Sequence, residues 1–183
     1  MNRRAVITLL GGGAAWPLAA RAQQPAKLPT IGLLGSTTAL IESQRVAAFV
    51  QRLRQLGWIE NRNVAIEYRW AEGRPERFAE IAAEFVQLKV DLIVAPTTPA
   101  VIAAKQATSV IPIVVATAND PVGTGLVASL ARPGGNVTGL SNQLADTSPK
   151  RLELLREVVP GLRRLAILAN AGNPGAMVDM RGA

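Results

Sequence analysis

The run Ile111-Pro112-Ile113-Val114-Val115-Ala116-Thr117-Ala118-Asn119-Asp120-Pro121-Val122-Gly123 decides the fold. Its first half is continuously apolar, the pattern of a strand buried on both faces of a parallel sheet. It then breaks into Asn119-Asp120-Pro121, two polar side chains and a proline that cannot continue the strand. In an open α/β sheet, ligands bind in the crevice beyond the carboxyl ends of the strands. Asn119 and Asp120 are therefore candidate site residues, and equally the makings of a simple Asx turn.

Upstream of this run the chain alternates. Thr30 to Gly35 reads as a short apolar strand, followed by Ser36-Thr37-Thr38. Val46, Phe49, Leu53 and Leu56 then mark one face of a helix closed by Gly57. Val64 to Trp70 reads as a second, less buried strand; its Tyr68 and Trp70, and Trp58 before it, are expected to pack rather than to face a ligand. Pro75 opens a helix whose inner face is Phe78, Ile81, Phe85 and Leu88. Val90 to Ala95 is a third strand, ending in Pro96-Thr97-Thr98-Pro99, and Ala100 to Thr108 is a small-residue helix. Such β-α-β-α-β-α-β alternation implies a doubly wound parallel sheet with right-handed crossovers.

Downstream, Gly123 to Ala131 is a candidate short helix, and Asn136 to Ser141 a fifth strand after the turn Arg132-Pro133-Gly134-Gly135. A helix is expected after Asp146-Thr147-Ser148-Pro149, with Leu152, Leu155 and Val159 inward and Pro160-Gly161 ending it. Arg164 to Asn170 reads as a further strand. Ala176 to Ala183 shows no continuing periodicity and is too short for another βα unit.

Composition narrows the chemistry. The 183 residues, 49% of them apolar, suffice for one ordinary domain with a real core. There is no cysteine, which excludes disulfides, thiolate metal sites and a cysteine nucleophile. There is no histidine, the commonest general base and metal ligand. No G-x-G-x-x-G or G-x-S-x-G follows a strand. Together these argue against an enzyme, and no metal site or cofactor is expected.

The net charge is +7, part of which belongs to the N-terminus. Asn2-Arg3-Arg4, the apolar stretch Ala5 to Ala20, and Ala20-Arg21-Ala22 before Gln23 have the layout of a cleavable export signal. Arg3-Arg4 before Ala5-Val6-Ile7 is similar to a twin-arginine signal. The alternative is a membrane anchor, for which the run is short and broken by Gly11-Gly12-Gly13 and Pro17. Without Arg3, Arg4 and Arg21, 17 basic residues face 13 acidic ones. They are interleaved, as in Arg74-Pro75-Glu76-Arg77, which argues for a solvated surface and against nucleic acid as partner.

Several segments carry a resemblance. They are the leader with Ala14-Ala15-Trp16-Pro17-Leu18-Ala19-Ala20-Arg21-Ala22-Gln23-Gln24-Pro25; Gly57-Trp58-Ile59-Glu60-Asn61-Arg62-Asn63-Val64; and Ile66-Glu67-Tyr68-Arg69-Trp70-Ala71-Glu72-Gly73. Asp120-Pro121-Val122, Leu130 to Gly139, and Lys150-Arg151-Leu152-Glu153-Leu154-Leu155 extend it to about Pro174. The chain resembles the ABC-transporter substrate-binding proteins of the tryptophan/tyrosine-permease-like group. The resemblance implies a type 1 periplasmic-binding fold, in which two α/β lobes close on a small solute and dock to an ABC permease in the inner membrane. The small-x-small triplet Ala20-Arg21-Ala22 and the missing lipidation cysteine predict cleavage behind Ala22 and a soluble periplasmic protein, and the resemblance implies binding without catalysis.

On that fold the chain divides into a leader over 1–22, a nearly complete first lobe over 23–143 and the beginning of a second lobe over 144–183. Beyond Gly175 it is expected to turn unlike the family, as a truncation or frame change would leave it. The expected consequence is that the chain binds its solute weakly or not at all, unless the first lobe suffices or two chains complement each other; the alternative readings are a truncated, non-binding copy and, less favoured, an exported α/β enzyme.

Candidate ligand contacts fall at strand ends: Ser36 and Thr37, Thr97 and Thr98, Asn119 and Asp120, Ser141, and Asn170. Hydroxyls and backbone N–H groups at a helix start suit a carboxylate. Asp120 suits an ammonium or another N–H donor. An amino-acid site is the expectation, with plain N-capping the alternative for Ser36, Thr97 and Thr98.

Overall fold

Five parallel strands form one sheet in the computed structural model, which describes residues 27–142 and 144–181. The strands are β1 (Thr30–Gly35), β2 (Ala65–Trp70), β3 (Leu92–Ala95), β4 (Ile113–Asn119) and β5 (Val137–Asn142). The helices are α1 (Ala39–Gln55), α2 (Arg77–Leu88), α3 (Thr98–Ala107), α4 (Leu144–Val158) and α5 (Pro174–Arg181). The expected leader, with its cleavage site at Ala22, lies outside the described residues.

The strands lie in the order β2-β1-β3-β4-β5. The chain steps outward from β1 to β2, then returns to lay β3 on the other side of β1. This reversal makes a topological switch point between β1 and β3. Register places Leu33 beside both Tyr68 and Val94, and Gly32 beside both Glu67 and Ile93.

The two faces are built differently. On one, α2 and α3 close a core of Leu34, Ile81, Phe85, Ile93, Val101, Ala104, Ile113, Val115 and Val137. Phe85 lies against Gly32, where an added Cβ would stand 2.8 Å from the ring. On the other face, Val46 and Phe49 of α1 look across a groove at Leu33, Val94 and Ala116. At the β2 edge of that face the rings of Tyr68 and Trp70 stack, centroids 6.3 Å apart. The Trp70 ring covers Gly35, the residue in register with it on β1. The packing role expected of these two rings is the one they occupy.

The opening run forms β4 as read, and β1 has the bounds that its sequence suggested. Four expectations are corrected. Residues 123–131 make turns instead of a helix: Pro121 starts a tight chain reversal, Gly125 takes a φ of 72°, and Leu126 N–H reaches back to the Pro121 carbonyl. The helix expected after Pro149 starts earlier, at Leu144, and contains the proline. The apolar run Arg164–Asn170 is not a strand; Leu165, Ile167 and Leu168 are exposed. A strand is stable only when a neighbour satisfies its backbone, and this run has no neighbour among the described residues. Finally, residues 176–181 do have regular structure, as part of α5.

Candidate functional site

The carboxyl ends of β1 and β3 flank the switch point, and the residues that follow them meet there. Ser36 leaves β1 and Thr97 leaves β3. Their hydroxyl oxygens lie 3.5 Å apart, both partly buried. Thr97 is the N-cap residue of α3, yet its side chain makes no cap hydrogen bond. Its hydroxyl is turned toward the crevice and Ser36 instead of its own helix. Plain N-capping, the alternative for this residue, is not what it does.

Thr37 is placed beside the crevice but its polar groups are engaged. Its backbone N–H and its hydroxyl both donate to Oε1 of Glu42, at 2.7 and 3.0 Å. Glu42 is 5% exposed and sits in the first turn of α1. There its carboxylate also meets the positive end of the helix dipole. With Thr38 capping α1 through Ile41 N–H, Glu42 fixes the β1–α1 loop, and the Ser36 hydroxyl pairs with Thr97 across the crevice. The sequence reading missed Glu42. An acid in the first turn reaching back to the entry loop is a variant of the capping box, and that was the available signal.

At the end of β4 the candidates separate. Thr98 is 3% exposed, and its hydroxyl accepts from Asn119 N–H at 3.3 Å, tying α3 to β4. The Asn119 side chain donates through Nδ2 to Oδ2 of Asp179 on α5, at 2.8 Å. Asp120 takes a φ of 37°, and its Oδ1 accepts from Gly123 N–H at 2.8 Å. Its carbonyl accepts from both Thr124 N–H and the Thr124 hydroxyl. Asp120 thus forms the Asx turn that its neighbours Pro121 and Gly123 invite.

Ser141, on β5, is in register with Ala118 of β4 and lines a small cavity with Pro121, Val127, Leu130 and Val137. Its Oγ is buried with no hydrogen-bond partner. Asn170 is exposed, and its side chain accepts from Gly172 N–H at 2.9 Å to turn the chain toward α5. The crevice thus brings together Ser36 and Thr97 at its centre and Thr98 and Asn119 beside them.

Among the described residues no group of three or more acidic, His or Cys side chains could hold a metal. No helix among them is long and apolar enough to cross a membrane.

The family described as ABC transporter substrate binding protein matches residues 40–182. The chain belongs to this family. The match runs through the tail, which corrects the expectation that the sequence departs from the family beyond Gly175. A tyrosine-binding protein of Clostridioides difficile (strain R20291) is 35% identical over 132 residues, 72% of this chain and 38% of that protein. A conserved domain protein from Vibrio cholerae has a crystal structure that matches with a TM-score of 0.74 at 30% identity, covering 85% of this chain and 52% of that one. The structure of an ABC domain from Streptococcus pneumoniae in complex with L-Trp matches at 0.72 and 25% identity, with the same coverage. The fold is the type 1 periplasmic-binding fold. The family is one of solute-binding proteins, and the chain spans about half the length of these solved relatives or less of the curated one.

Proposed function

We propose that this chain is the solute-binding component of an ABC-type importer and takes an amino acid, or a related small carboxylate, at the carboxyl edge of its sheet. The observation that carries this reading is the Ser36–Thr97 pair at the β1–β3 switch point, the position where open α/β sheets bind ligands. Both hydroxyls can donate to a carboxylate, and the start of α3 adds favourable dipole there. The tyrosine-binding and L-Trp-bound relatives support aromatic amino acids as the first solutes to try.

Residues 23–143 form the first lobe in this proposal and 144–183 begin the second. The sheet then supplies one wall of the site. The solute passes to a permease in the inner membrane, and the working location is the periplasm after cleavage behind Ala22. N-terminal sequencing of exported protein checks the cleavage.

A thermal-shift screen of the twenty amino acids and simple organic acids tests the function. Ligands that bind the native state raise its apparent stability. A rise confined to one or a few amino acids supports the reading, and no rise with any of them contradicts it.

A further inference from the structure

Asn119 is held by a carboxylate of its own chain. Nδ2 donates to Oδ2 of Asp179, 60 positions along the sequence, at 2.8 Å. The first turn of α5 comes down on the same place. Gly175 is buried, and a Cβ added to it would stand 3.0 Å from both Asn119 Cβ and the Thr98 hydroxyl. A side chain here would press on Asn119 and Thr98, which would have to give way for the helix backbone to sit this close. The β4 end of the crevice is therefore occupied by α5.

The grip is incomplete. Asp179 Oδ1 is buried with no hydrogen-bond partner, and a half-satisfied buried carboxylate carries a desolvation penalty. The helix has eight residues, Pro174–Arg181, too few to be stable on its own in water. The segment leading to it, residues 163–168, is exposed throughout. The helix also lies against α3, α4 and β4, but it is short and hangs on an exposed tether, and at the crevice its hold is the Asp179–Asn119 bond and the Gly175 contact, so it can leave that seat.

We infer that α5 is an internal competitor for the solute site, with Asp179 engaging the Asn119 amide in the way a solute carboxylate would. This rests on the reading under Proposed function, extended to Asn119, which is tied through the Thr98 hydroxyl to the start of α3 beside Thr97. Asn119 offers the same N–H donors to either carboxylate, so docking of α5 and entry of the solute exclude each other at that residue. The apparent dissociation constant is then the intrinsic one divided by the undocked fraction. By linkage, bound solute releases α5 to the same extent.

The test uses the 183-residue chain and its Asp179→Ala, Asp179→Asn and Gly175→Val variants. Hydrogen exchange is followed over 174–181, and L-tryptophan and L-tyrosine are titrated by calorimetry. Asp179→Ala removes the acceptor, and Gly175→Val wedges the helix off without touching Asp179. Both should speed exchange in α5 about tenfold and tighten solute binding by up to about tenfold, the equivalent of 1.4 kcal/mol. Asp179→Asn keeps an oxygen for Asn119 and should stay near the parent. Unchanged exchange in Asp179→Ala overturns the inference. So does weaker solute binding in that variant, which would make Asp179 a solute contact. If the parent and every variant bind neither amino acid, aromatic amino acids fail as the solute, and the exchange data alone decide whether Asp179 holds α5.

Discussion

Ser36 Oγ and Thr97 Oγ1 lie 3.5 Å apart across the carboxyl ends of β1 and β3. Neither hydroxyl is needed by its own helix. Thr38 caps α1, and Thr97 starts α3 without a side-chain cap bond. A pair of hydroxyls bonded to each other, and not to a helix end, at a strand-order reversal is the feature on which the proposed site depends.

Glu42 should matter to the crevice through Thr37. Glu42→Ala strips the acceptor from Thr37 N–H and hydroxyl together, and a lost cap of this kind costs about 0.5–2 kcal/mol. Glu42→Gln retains an oxygen and should recover most of it. Urea denaturation of both variants measures the difference, and equal losses would show that the Thr37 contact contributes nothing.

Asp120 is expected to act on stability. Asp120→Ala loses the Asx bond to Gly123 N–H and puts a side chain without local hydrogen bonding at a φ of 37°. The cost should be about 1 kcal/mol, the scale of a lost helix cap. Asp120→Asn, which tolerates the left-handed region and can make the same bond, should cost less. Chemical denaturation checks the order, and Asp120→Ala as stable as the parent would remove the turn role.

Tyr68 gives a pH signature. Burial chiefly, with the charge and hydrogen bond of Glu60 in addition, pushes its hydroxyl up from 10.0 to about 12. The folded state therefore keeps the proton when the unfolded state loses it. The stabilisation this brings is fully present below pH 10 and falls away as pH rises from about 10 to 12. Tyr68 is the single tyrosine of the chain, so absorbance at the tyrosinate band reads it directly. Glu60→Gln should lower the midpoint, and a native midpoint near 10 would contradict this placement.

The Gly32–Phe85 contact is the tightest test of the core. Phe85→Ala empties a fully buried site and should cost about 3–5 kcal/mol. Gly32→Ala forces the ring aside, since the added carbon would meet it at 2.8 Å, and should cost about 1–3 kcal/mol. Thermal denaturation of the two variants gives the values.

What could be read from the chain in advance follows the range of the interactions. β1 and β4 announce themselves by continuous apolar runs, and the inner face of α2 by Phe78, Ile81 and Phe85, all buried. The crevice was also legible, because the residue after each strand is fixed once the strand is. Whether the side chain at such a place is free was not. Thr37 and Asp120 are engaged through bonds to Glu42 and Gly123 that depend on local backbone angles. The run Arg164–Asn170 has the composition of a strand, but pairing is supplied by other segments and cannot be read within it. Asp179 gave no signal, since its partner Asn119 is distant in sequence and nearby only in the fold.

Calorimetric titration of the 183-residue chain with L-tyrosine and L-tryptophan, beside its Ser36→Ala and Thr97→Val variants, tests the central claim most directly. The account predicts saturable binding of at least one of these amino acids, weakened about tenfold or more in each variant while the denaturation midpoint holds, since each removes a hydrogen bond to a charged group. Binding that is the same in the parent and both variants would contradict a site between Ser36 and Thr97.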